Sequence, residues 1–338
     1  MNESSVLCII EHVMLRKWRC TQMRGVMNRQ GVKLTELFKR AFLFNGIGSD
    51  YEKITAGVPT ELFERFSSCR SDVFSRLGLE TDIHRNTPFD AMIASWLTSS
   101  ISDRIVFEAF IEKGIKPDIG AGYSSGIVNI CSCFSVFSFD FSYDIIAANR
   151  ATMLELGRNS IKLDMGVIIG LDRRCINELI HDMHEEKSVN IGSVNSSFCV
   201  MITGCEASVI HVLNAAKTEG ALRTIKMNTG IAYHSPLLEP YCTEYNRFCA
   251  SQPYSAPKYP IVSVFSGELL TTGDELLHEN IINVTTPMCW ETAIEKLEKL
   301  GVTEFYDMSA DGSVKKFTRL RKKNLHFHTY QDICSCAI

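Results

Sequence analysis

Between residues 163 and 229 the chain changes its hydrophobic period in an order that few folds can accommodate. A strand pattern at Met165–Ile169 gives way to a helical one at Arg173–His184. Strand patterns follow at Val189–Val194 and Phe198–Thr203, then a helix at Glu206–Glu219 and a strand at Leu222–Met227. This βαββαβ order is the ferredoxin-like arrangement. The flanking chain has a different rhythm. Arg40–Phe44 is a short apolar run stopped by Gly46 and Gly48, as a buried strand ends at a turn. Helical stretches follow at Pro59–Leu77 and Ala91–Lys113, the second placing Ile93, Trp96, Leu97, Ile101, Ile105 and Ala109 on one face. Residues 115–126 form a strand running into a tight turn, and Ile127–Phe137 an apolar helix leaving it. Beyond residue 229 the pattern predicts a strand at Tyr259–Phe265, a helix at Trp290–Leu300 and a last strand near Thr303–Met308. The class is therefore α/β: a large domain over 38–162 and 230–325, interrupted by a small ferredoxin-like subdomain at 163–229. Residues 1–37 are expected to be an extension before the fold, with Met27 as an alternative start, and 326–338 a tail.

A chain of 338 residues, 45% hydrophobic and 22% charged, can bury a large core. Its net charge of −4 gives no electrostatic reason to bind nucleic acid or an anionic membrane. The apolar run Val6–Leu15 is broken by Glu11 and His12 and lacks a basic leader, so neither a signal peptide nor a membrane span is expected. The 13 cysteines include no C-x-x-C pair, which argues against a zinc ribbon and for reduced thiols in the cytoplasm.

The turn Gly122-Tyr123-Ser124-Ser125-Gly126 carries the chemistry. A serine on a sharp strand-to-helix corner is exposed, and glycines on either side let backbone and substrate approach closely. The next amide, that of Ser125, can point at a developing oxyanion. Losing one such donor costs roughly 2.7–4 kcal/mol of transition-state stabilisation. A hydroxyl also needs a base. Of the nine histidines, His181 and His184 share a charge-rich helix with Asp182, Glu185 and Glu186 and read as a solvated face; His326 and His328 lie in the basic tail. His234, in Ala232-Tyr233-His234-Ser235-Pro236, stands where the chain re-enters the large domain. By itself it reads as a structural loop histidine.

Five segments in order resemble the malonyl-CoA:acyl carrier protein transacylase family, which includes the acyltransferase domains and free-standing acyltransferases of polyketide synthases. FLFNGIGSD (42–50) is similar to F-x-F-P-G-Q-G-S-Q, and GIKPDIGAGYSSG (114–126) to G-V-x-P-D-x-x-x-G-H-S-L-G. Val194-Asn195-Ser196 with Ile202-Thr203-Gly204 resembles N-S-P-x-Q-x-V-I-S-G, AYHSPLLEP (232–240) resembles A-F-H-S-x-x-M-x-P, and YDMSADGSV (306–314) takes the place of I-E-V-G-P-G-x-V-L. The resemblance spans about Phe42 to Val314 and implies an α/β-hydrolase-like large domain.

It also implies a ping-pong reaction. Ser124 would attack an acyl thioester with His234 as base and then acid, and the phosphopantetheine thiol of an acyl carrier protein would resolve the acyl-enzyme. The oxyanion hole would be the backbone N–H groups of Ser125 and Ile47, and His234 would be oriented by a backbone carbonyl near Val264. Arg150, in AANRATM (147–153), falls where malonyl-specific relatives grip the substrate carboxylate, a task suited to a planar guanidinium. Tyr233 leaves little room for an α-branch, and Asn195 and Trp96 complete the implied substrate contacts. No metal or cofactor is expected, the substrates being malonyl-CoA and a carrier protein, and the protein is expected to be a monomer. Tyr123, Ile47, Ile127, Trp96 and Cys199 depart from the family's His, Gln, Glu, Gln and Gln. The alternative reading is a hydrolase that clears stalled acyl chains from carrier proteins, against which Arg150 argues. A lipase-type hydrolase would show no ferredoxin-like insertion between Ser and His, and a non-catalytic homologue would have no use for both residues.

Overall fold

The computed structural model describes residues 38–46, 51–82, 85–86, 88–318 and 325–334. In chain order, β1 (Arg40–Phe44) and β2 (Ile119–Gly122) begin the large sheet. β3 (Leu163–Ile169), β4 (Val189–Ser196), β5 (Cys199–Cys205) and β6 (Arg223–Lys226) build the small one. The chain then forms β7 (Ile261–Val262), β8 (Leu269–Leu270), β9 (Met288–Cys289), β10 (Glu304–Asp307) and β11 (His326–His328). The large sheet has the order β11-β10-β1-β2-β7-β8 and is parallel except for the β7–β8 pair. Ala41 to Phe44 are fully buried, as expected for a central parallel strand covered on both faces.

The small sheet follows the order β6-β3-β5-β4, all antiparallel, with β9 added in parallel beside β4. Period-2 alternation divides its faces. Ile168, Val200 and Ile202 pack under the helices Arg173–Asp182 and Glu206–Thr218. Leu163, Met165 and Met201 turn the other way and join the core of the large domain. The sheet is thus held between its own helices and its host.

Three expectations change. The small sheet takes a fifth strand from residues 288–289, well beyond the expected boundary at 229. The segment 326–338 is not simply a tail: His326–His328 pairs with β10, Phe327 stacks on Phe305 at 5.4 Å and His328 on Tyr306 at 4.8 Å. Alternating rings let this short strand cover an otherwise open sheet edge. The strand expected at Tyr259–Phe265 shrinks to two residues. Residues 1–37 lie outside the described residues.

β2 reads Ile-Gly-Ala-Gly because the helix Gly126–Cys133 lies directly on it. A Cβ at Gly122 would sit 2.4 Å from the carbonyl carbon of Gly126, and one at Gly126 would sit 2.6 Å from the carbonyl oxygens of Phe44 and Asn45. Backbone cannot yield as a flexible side chain can. Gly126→Ala is therefore expected to cost at least about 1–3 kcal/mol, as overpacked positions do, and to lower the thermal midpoint measured by circular dichroism.

Candidate active site

The corner after β2 is tied to the large sheet by the Tyr123 N–H, which donates to the Phe44 carbonyl at 3.0 Å. Ser124 then takes a left-handed backbone, φ 53°, and the Gly126 N–H closes the turn on the Tyr123 carbonyl at 2.8 Å. Among the described residues the Ser125 N–H has no acceptor, as the first amide of the departing helix should be. Gly46 packs on this corner: a Cβ there would meet the Tyr123 carbonyl oxygen at 2.5 Å and the Ser124 Cβ at 2.8 Å. The next residue, Ile47, lies outside the described residues, and so does its expected part in the oxyanion hole. The loop before it is held by buried Asp103, which accepts from the Asn45 N–H at 3.2 Å and from Asn129 Nδ2 at 3.0 Å.

His234 meets the serine across the subdomain junction, its Nε2 2.7 Å from Ser124 Oγ. It too is left-handed, φ 62°, and only 1% exposed. Two such residues cost of order 1–3 kcal/mol each and persist only where surroundings enforce them. The His234 N–H donates to the Val284 carbonyl at 2.7 Å, and Asn190 Nδ2 donates to the His234 carbonyl at 3.1 Å. Burial lowers the imidazole pKa to about 4, while the backbone carbonyls of Thr286 and Asn283 favour the charged ring and partly oppose that shift. The ring's Nδ1 is itself buried with no hydrogen-bond partner among the described residues, and the Val264 carbonyl, near which an orienting acceptor was expected, accepts the Cys289 N–H at 2.7 Å. A neutral ring that offers Nε2 to the serine as an acceptor carries its proton on Nδ1.

The other expected residues fall into two groups. Trp96 and Tyr233 are buried and meet edge to face at 6.1 Å, and neither the indole Nε1 nor the phenol hydroxyl finds a partner among the described residues. Buried donors without acceptors are costly and often mark places that a ligand or water completes. Asn195 is engaged instead, its Oδ1 accepting from Tyr123 at 2.9 Å and from Ser193 at 2.6 Å. Arg150, on the helix Phe139–Arg158, pairs through Nη2 with Asp90 Oδ1 at 2.7 Å, while its Nε is buried without a partner among the described residues. A substrate carboxylate at Arg150 would share the guanidinium with Asp90. His181 is exposed and bonded to Glu186 at 2.7 Å, as the solvated-face reading requires. Among the described residues no cluster of three or more His, Cys, Asp or Glu side chains could hold a metal ion, and no helix is long and apolar enough to cross a membrane.

The chain is 27% identical over 298 residues to the malonyl CoA-acyl carrier protein transacylase of Bacillus subtilis, covering 84% of this chain and 92% of that protein. Its fold matches the malonyl CoA-acyl carrier protein transacylase of Coxiella burnetii with a TM-score of 0.74 at 21% identity, over 89% of this chain and 98% of that one. A second solved structure, of a type II polyketide synthase acyl carrier protein in complex with its malonyl-transacylase, matches with a TM-score of 0.72 at 20% identity, over 86% and 95%. No protein-family model matches the chain.

Over most of its length the chain is thus similar to malonyl CoA-acyl carrier protein transacylases. Within that frame Asn190, Asp90 and Asp103 are site residues that motif reading missed. Asp103 alone had a signal, a carboxylate within an apolar helical run. The imidazole also sets a pH dependence. An unfolded histidine titrates near 6.5 and the folded one about 4, so folding stability is full above 6.5 and falls as pH drops towards 4. Acylation of Ser124 is expected to keep its rate from pH 7 down to about 5 and to decline only through the folded pKa of about 4, which single-turnover rates measured across that range would show.

Proposed function

We propose that this protein is an acyltransferase that loads a malonyl-type unit from CoA onto Ser124 and passes it to the phosphopantetheine thiol of an acyl carrier protein, in fatty-acid or polyketide assembly. The observation that carries this reading is the 2.7 Å contact between Ser124 Oγ and a neutral, buried His234 at a strand-to-helix corner. The homologues' names and the carrier-protein complex of a fold relative support the substrate and the partner.

In the first half-reaction Ser124 Oγ attacks the thioester carbonyl while His234 Nε2 takes the hydroxyl proton. The Ser125 N–H receives the oxyanion, joined in this reading by the amide of Ile47. Collapse breaks the C–S bond, and His234 returns its proton to the leaving CoA thiolate. The carrier thiol then gives its proton to His234, attacks the acyl-serine, and the proton goes back to Ser124 as the ester opens. The carbonyls of Thr286 and Asn283, which favour the charged ring, act on the imidazolium formed in each half.

Arg150 is proposed to hold the malonyl carboxylate, with Asp90 sharing or yielding the guanidinium, and Tyr233 to exclude an α-branch. The setting fits the cytoplasm, where CoA thioesters and carrier proteins meet.

Intact-mass measurement after incubation with malonyl-CoA, methylmalonyl-CoA or acetyl-CoA tests the reading. A malonyl adduct is expected that disappears in Ser124→Ala and moves to an added holo-carrier protein. Free acid released from acyl-carriers without an adduct would instead identify an editing hydrolase. Arg150→Ala should reduce malonyl loading at least about tenfold more than acetyl loading, the size of a lost charge-assisted pair; an equal loss for both would remove Arg150 from the carboxylate.

A further inference from the structure

Ser124 and His234 lie 110 residues apart on different loops, yet one strand of the small subdomain bonds to the residue before the first and to the backbone of the second. Near its end, Asn195 accepts the hydroxyl of Tyr123, the residue immediately before the nucleophile, at 2.9 Å. The Tyr123 ring is fixed between Trp290, edge-on at 5.5 Å, and Phe317 at 4.6 Å, so the direction of that hydroxyl is set. Near the start of the strand, Asn190 Nδ2 donates to the His234 carbonyl at 3.1 Å, and its Oδ1 accepts the Ser235 hydroxyl at 2.6 Å. Between them a Cβ on Gly192 would stand 3.4 Å from the His234 Cβ, so β4 runs hard against the base.

Residues five apart on a regular strand face opposite sides. Here the β4–β5 register shifts between Ile191 and Ser193 and again between Val194 and Ser196. Such irregularities re-aim side chains, and both asparagines bond to the large domain.

We propose that β4 is the positioning element of the reaction, with Asn195 acting through Tyr123 on the nucleophile and Asn190 acting through the His234 backbone on the base. This rests on the Ser124–His234 reading above. Neither asparagine touches the reacting atoms. Ser124 and His234 both hold left-handed backbones, and the two asparagines anchor one flank of each. The alignment of nucleophile and base is then a property of how the small subdomain sits on the large one.

Tyr123→Phe deletes one hydroxyl and leaves Asn195 Oδ1 bonded to Ser193; Asn190→Ala deletes the other tether. Each variant would be assayed for single-turnover acylation by malonyl-CoA and for inactivation by a small fluorophosphonate, which needs the serine and its base but no CoA or carboxylate site. Thermal melting checks the fold. Folded variants with unchanged KM and with both rates reduced together, by roughly 10–100-fold as for small misplacements of reacting groups, are the expected result. In Asn190→Ala the acidic limb is expected to move up from about 4 as water reaches the imidazole. Folded variants that react with the fluorophosphonate at the wild-type rate would overturn the proposal, including the case where only malonyl-CoA acylation slows, which would place the asparagines on the substrate. If Asn190→Ala does not fold, Tyr123→Phe decides alone. A wild-type protein that takes the fluorophosphonate but no acyl group would defeat the acyltransferase reading and leave this test standing.

Discussion

Three stretches of backbone meet at the nucleophile with no side chains between them. Gly46 follows the first strand, Gly122 ends the second and Gly126 begins the helix, and a methyl group on any of them would strike main-chain atoms. That contact brings the amide end of the helix, the serine and Gly46 together. It also explains why so short a strand as β2 can be half glycine without loss of order: its neighbours on both sides are fully buried and cannot move away.

The base is placed by different means. Nothing within the loop 232–236 forces a left-handed histidine; its surroundings do. The backbone of Val284 holds its N–H, Asn190 holds its carbonyl, and burial keeps its ring neutral. The site therefore combines a corner determined locally, by glycine, with a loop determined at long range, by hydrogen bonds from two other parts of the chain. Arg150, proposed above to hold the substrate carboxylate, is likewise placed at long range, by Asp90 on a neighbouring helix.

That division also decides what could be read from the sequence. The corner at Ser124, the βαββαβ unit and the apolar face from Ile93 to Ala109 are written in spacing, and the structure has each of them. The order of five segments pointed to His234. Asn190, Asp90 and the Val284 carbonyl that holds the His234 N–H were not legible, because periodicity reports which face a residue occupies and says nothing of its partner across the fold. β9 and β11 were missed for a related reason: strands of two and three residues carry almost no pattern of their own. The helix Gly273–Ile282 was announced by a capping box, Thr272 with Glu275, and could have been found.

The pairing of β9 with β4 makes the small subdomain less separate than its sequence boundaries suggest. Its last strand in the sheet is made by chain that follows it by some sixty residues, after the segment that carries His234 has been laid down. A ribosome-borne chain cannot finish this sheet when residue 229 emerges, and β4 keeps an open edge until Met288 and Cys289 arrive. The same strand carries the two asparagines, so the active site is closed late, by a seam that fastens the inserted unit to its host after both have been made.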